Sequence, residues 1–125
     1  CAFCVDINSS LVLKRGGDLA KLAELERFET SDLFTGREKA ALAYAEAVTY
    51  PDRRPGPELF ARLRQHFDDD AIIELTGLIA FQNLSSKFNA ALGVEAQGFC
   101  PAAPQPKRPP QPQHGGTPPD EGGKP

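Results

Sequence analysis

The chain has 125 residues, enough for one small domain, and 14 Lys and Arg against 17 Asp and Glu leave a net charge of −3 with no basic block. That balance excludes an electrostatic footprint for nucleic acid, and no apolar run is long enough to span a membrane. Three cysteines do not make a disulfide framework, so a C-x-x-C pair in a cysteine-poor chain reads as redox or metal chemistry in a cytoplasmic setting.

The chain opens on Cys1-Ala2-Phe3-Cys4-Val5-Asp6-Ile7-Asn8. On a helix, Cys1, Cys4 and Asn8 project from one face, while Asp6 points to another. Val5 and Leu11 to Leu13 extend this first helix, and Gly16-Gly17 ends it. Asp18 caps a short second helix carrying Leu19, Leu22, Ala23 and Leu25, and a loop follows through Phe28 to Phe34. Thr35-Gly36-Arg37-Glu38 is a capping box that starts a third helix running to about Val48. Pro51 to Pro57 is a loop containing the solvated pair Arg53-Arg54, and Pro57 suits the first turn of a fourth helix. Asp68-Asp69-Asp70 caps a fifth helix, from about Asp70 to Leu92, that stops at Gly93. Ile72, Ile73, Leu75, Leu78, Ile79, Phe81, Leu84 and Phe88 make it apolar on more than one side, which predicts a central position or an oligomer interface.

The reading for residues 1–100 is therefore all-α, a helical bundle. Residues 101–125 hold nine Pro and four Gly and lose apolar periodicity, so they read as a disordered tail in which Lys107, Arg108 and His114 are solvated. Methionine is absent, which predicts a missing N-terminal segment or a fragment of a longer reading frame. A secretory signal ending before Cys1 would leave that cysteine lipidated, but a polar tether is expected after such a residue and an apolar helical pattern follows instead.

The candidate chemistry belongs to Cys1 and Cys4, because two adjacent thiols cycle between dithiol and disulfide. Two other readings of the pair stand beside it. One takes it as two small buried apolar residues. The other takes it as part of a zinc site, for which Cys100 and His66 would have to converge with it. Cys100 itself reads as a free surface thiol, and His66 as a cation near a helix C-terminus. Glu74 is either solvated or a buried, paired acid, and Asn83, Ser86, Lys87 and Asn89 give the fifth helix a polar end that hydrogen-bonds across the bundle or lines a pocket. There is no Gly-rich phosphate loop, and no cofactor or metal is indicated.

Three stretches together carry a resemblance: Cys1 to Ser9, Thr35 to Thr49, and Phe67 to Leu75 continuing through Ala80-Phe81-Gln82-Asn83 to Lys87-Val94. In order and spacing they resemble the carboxymuconolactone decarboxylase family, within it the alkylhydroperoxidase D-like branch. The resemblance covers residues 1–100. It implies a helical homo-oligomer with a thiol peroxidase site near the subunit interface, a hydroperoxide substrate, and a thiol or dithiol reductant. Cys4 would then be the attacking thiol and Cys1 its disulfide partner. The branch commonly carries His four residues after the second cysteine, so Asn8 occupies the relay position, and the family's relay Glu would lie ahead of Cys1. A lactone decarboxylase and a non-catalytic oligomeric binding module are the rival readings.

Overall fold

Side-chain caps set where the helices begin. In a computed structural model of the chain, residues 1–101 are described. The tail residues Lys107, Arg108 and His114 lie outside them. Among the described residues there are five α-helices, a short 3₁₀ turn at Leu25–Arg27 and no strand. They are α1 (Ala2–Lys14), α2 (Leu19–Ala23), α3 (Gly36–Thr49), α4 (Pro57–Arg64) and α5 (Asp69–Ala91). Asp18 accepts the Ala20 N–H, Asp68 accepts the Ala71 N–H, and Thr35 and Glu38 form the reciprocal capping box. Each satisfies a donor that the first helical turn leaves without a partner. Pro57 opens α4, where its missing N–H costs nothing.

The stop signals are equally local. At the end of α5, Gly93 donates to the Ala90 carbonyl at 3.1 Å and Val94 to the Asn89 carbonyl at 2.9 Å, a Schellman closure that requires the left-handed φ of +66° at Gly93. Gly16 and Gly17 close α1 the same way, donating to Leu13 at 3.1 Å and to Val12 at 2.8 Å.

The core lies where α3 meets α4 and α5. Ala40, Tyr44, Leu63, Ile72 and Ile79 are buried there, with Leu59, Phe60, Phe67 and Leu75 packed around them. Leu63 is wholly buried, a contribution of about 2–3 kcal/mol from its side chain alone. Small residues on α3 bring the backbones close, and Tyr44 fills the space between, edge-on to Phe60 with ring centroids 5.7 Å apart. The Tyr44 hydroxyl shares a 2.8 Å hydrogen bond with Thr76 Oγ1, so the buried phenol leaves no polar group unsatisfied.

α1 lies against the second half of α5, and α2 is tied to α3 by Lys21 Nζ, which donates to both Glu38 oxygens at 2.7 and 2.9 Å. The hydrogen bond from Lys21, with that from the Thr35 amide, holds the Glu38 carboxyl below its ordinary pKa. The two-sided apolarity of α5 resolves into one packed face and one exposed face. Leu78, Phe81, Leu84, Phe88 and Leu92 are 63–66 % exposed. They recur at steps of three and four residues, so they form one stripe.

Candidate functional site

The helical periodicity of residues 1–8 puts the two cysteines one turn apart at the start of α1. Cys1 is the N-cap, and its sulfur accepts the Cys4 N–H at 3.2 Å. Cys1 and Cys4 are joined by a disulfide, with Cα atoms 5.3 Å apart. The partners differ in exposure: Cys1 is exposed and Cys4 is buried.

This disulfide opens on a cavity of about 330 Å³ whose lining includes Cys1, Cys4, Asn8, Ser9, Gln82 and Ser86. The expectation that Cys1, Cys4 and Asn8 share a face is therefore met. Asn8 lies at the cavity but makes no hydrogen bond to either sulfur. Val12, Leu22 and Leu25 complete one wall and are shared with a larger neighbouring cavity of about 520 Å³, mostly apolar, that runs between α1, α2 and α3 to the Lys21–Glu38 pair. Neither lining places His, Asp, Glu, Lys or Arg beside the disulfide itself.

The polar end of α5 supplies what Asn8 does not. Asn89 Nδ2 donates to Cys4 Sγ at 3.7 Å and to Ser85 Oγ at 3.3 Å. Gln82 Nε2 donates to Ser86 Oγ at 3.1 Å on the same side of the helix. Asn83 crosses the bundle to Thr49 Oγ1 at 3.0 Å. Glu74 is exposed, so of its two readings the solvated one holds. His66 is exposed just beyond α4.

One expectation is overturned. Cys100 is not a surface thiol: it is 2 % exposed. The cause is Asp6, a carboxylate that is itself 1 % exposed and lies on the other side of α1 from the cavity. Asp6 Oδ1 accepts the Cys100 N–H at 2.7 Å, and Oδ2 accepts those of Gln97 at 2.9 Å and Phe99 at 3.1 Å. The strap 94–100 is thereby bound across α1. Gly98, at φ +76°, makes the turn that points successive amides inward, a backbone conformation a side chain would strain. Desolvation pushes the Asp6 pKa up, but backbone hydrogen bonds from Cys100, Phe99, Gln97 and Gly98 outweigh it and hold the carboxyl below its ordinary value. The sequence carried a signal for this anchor, since Asp6 sits between Val5 and Ile7 in an apolar run, where an acid needs donors.

Among the described residues no group of three His, Cys, Asp or Glu side chains gathers to hold a metal ion, and no helix is long and apolar enough to cross a membrane.

Fold and site together define an all-helical protein with a C-x-x-C disulfide in the first turn of a helix, facing a cavity. Known proteins are similar to this chain. The chain is 45 % identical over 100 residues to the uncharacterized protein YnjA of Escherichia coli K12, covering 80 % of this chain and 55 % of that protein. It is 32 % identical over 97 residues to the uncharacterized protein YdfG of Bacillus subtilis 168, covering 77 % of this chain and 66 % of the relative. It is 35 % identical over 96 residues to the uncharacterized protein Rv2313c of Mycobacterium tuberculosis H37Rv, covering 77 % of this chain and 34 % of the relative. The chain thus spans about half the length of the E. coli relative and a third of the mycobacterial one. No family model and no solved structure matches it.

Proposed function

We propose that this chain is a thiol-dependent peroxidase domain of the alkylhydroperoxidase D-like kind, working in the cytoplasm with Cys1 and Cys4 as its redox pair. The observation that carries this is the asymmetry of the pair. One sulfur is exposed and one is buried at the cavity with a hydrogen-bond donor on it. Cys4 thiolate attacks the terminal oxygen of a hydroperoxide, the O–O bond breaks, and the alkoxide takes a proton to leave as the alcohol. The Cys1 thiol then attacks the resulting sulfenic acid, forming the disulfide and releasing water. Two equivalents of an external thiol, or one dithiol, restore the pair. The absence of His from the cavity lining fits a lactone decarboxylase less well, because that chemistry needs a base there.

The test is intact mass and peptide mapping of reduced protein after one equivalent of an organic hydroperoxide. Loss of two hydrogens mapped to Cys1–Cys4, with peroxide consumed, is the expected result. An unchanged mass with peroxide remaining would sink the reading and favour the non-catalytic module.

The exposed stripe on α5 supports a homo-oligomer in which a second copy covers it. Phe81 and Leu84 lie within the stripe and face solvent in the single chain. Burying five such side chains against a partner removes several hundred Å² of apolar surface from water, the scale at which exposed patches mark interfaces. Phe81→Glu with Leu84→Glu should lower the mass seen by light scattering to that of one chain without loss of helix in far-UV circular dichroism. A wild-type protein that is already monomeric at micromolar concentration would refute the homo-oligomer.

A further inference from the structure

Thiol chemistry needs the sulfur as thiolate, and a thiolate needs stabilisation. In most thiol sites a nearby imidazolium, lysine or arginine provides it. Here the described residues lining the disulfide cavity from α1, α2, the 3₁₀ turn and α5 include no charged or imidazole side chain. Asp6, the acid nearest in sequence, has its carboxylate engaged by the strap.

We propose that Asn89 is the thiolate-stabilising donor of this site, its side-chain amide reaching from the last turn of α5 to the Cys4 sulfur. Three features support the assignment. Cys4 is 6 % exposed, so water does not solvate its sulfur freely. The Asn89 amide nitrogen donates to both Cys4 Sγ and Ser85 Oγ, so the group is held in place by a second anchor on its own helix. The sulfur of a disulfide is a weak acceptor, whereas a thiolate is a strong one, so the same contact gains strength when the bond is reduced.

The consequence is directional. A reductant thiolate attacks the exposed Cys1 sulfur, the S–S bond breaks, and its electron pair leaves on Cys4, where the Asn89 N–H already points. A second reductant thiolate then displaces Cys1 from the mixed disulfide, leaving the dithiol and one oxidised reductant. Cys4 is thus released as the charged sulfur, in the form that attacks a peroxide. The position of Cys4 in the first turn of α1 adds the helix N-terminus to the same effect. The inference rests on the dithiol cycle proposed above, but not on the peroxide being the oxidant.

The test is the pH dependence of iodoacetamide alkylation of the reduced full chain, with label on Cys4 separated from label on Cys1 by fragmentation of the 1–14 peptide. Asn89→Leu should move the Cys4 midpoint up by about one pH unit, and Asn89→Asp, the same shape with opposite polarity, by more. In parallel, the dithiol–disulfide equilibrium against dithiothreitol should shift about tenfold toward the disulfide in Asn89→Leu, about 30 mV. Ser85→Ala, which removes only the anchor, should give a smaller shift in the same direction. A Cys4 midpoint unmoved in Asn89→Asp overturns the assignment, and this isosteric variant serves if the leucine variant does not fold. If the midpoint shifts while the protein consumes no peroxide, the Asn89 role stands and the peroxidase reading falls.

Discussion

Cys4→Ser protein is expected to consume organic hydroperoxide no faster than buffer, a loss on the order of a thousandfold or more, because removing the nucleophile removes the chemical step and not merely substrate binding. Cys1→Ser should differ in kind. Serine is a good N-cap, so it can replace the Cys1 sulfur as acceptor of the Cys4 N–H and keep the first turn of α1. Cys4 would then still attack, but the sulfenic acid would find no partner thiol. The expected result is one turnover, with a gain of one oxygen on Cys4 by mass and a dimedone adduct mapped to that residue. If Cys4→Ser keeps steady turnover while Cys1→Ser loses it, the roles assigned to the two thiols are reversed. If both keep it, the pair is not the site.

Asp6→Asn should detach the strap while leaving the cavity on the opposite side of α1 intact. Asp6 works as an acceptor on both oxygens, three N–H groups pointing at two atoms. The amide replaces one oxygen with a donor, so at least one strap N–H would face an N–H across a buried contact. Amide hydrogen exchange at Gln97, Phe99 and Cys100 should accelerate by about tenfold or more, and the Cys100 thiol should become reactive to iodoacetamide under native conditions. The acid range gives a second readout. The folded-state pKa of Asp6 lies below its ordinary value of 3.8, so its contribution to stability is complete above that value and is lost as pH falls through the lower, folded-state pKa. Thermal unfolding of the wild type should therefore weaken below about pH 4 more steeply than that of Asp6→Asn. Parallel pH curves for the two proteins, with unchanged exchange at residues 97–100, would show that Asp6 does not bind the strap in solution.

How far the sequence reveals the molecule depends on the range of the interactions involved. The helix starts at Asp18, Thr35, Pro57 and Asp68 and the stops at Gly16 and Gly93 are decided within four or five residues, and the chain states them openly. Leu25, which the sequence assigns to the second helix, instead opens a 3₁₀ turn at Leu25–Arg27, because a single turn has too few residues to show a period. The convergence of Cys1, Cys4 and Asn8 follows from spacing along one helix. Asn89 is different: a polar end on α5 is visible in the sequence, but which sulfur it meets depends on how α1 crosses α5, which no local pattern encodes. The burial of Cys100 is hidden from the sequence for the same reason. Beside Pro101 it looks like a boundary residue, and only the folded chain brings it beneath the Asp6 carboxylate.

The strap also bears on the order in which the structure assembles. Asp6 meets its three amides across 91, 93 and 94 residues of chain, whereas the caps and helical turns close over a few. Closing so long a loop is slow to be rewarded, so the clamp should form after α3, α4 and α5 have made their core, and on the way out it should be among the first contacts to open. In a nascent or partly unfolded chain, then, the buried thiol of Cys100 is accessible before the core is lost, and the protection of that single sulfur is a sensitive gauge of whether residues 1–100 have finished folding.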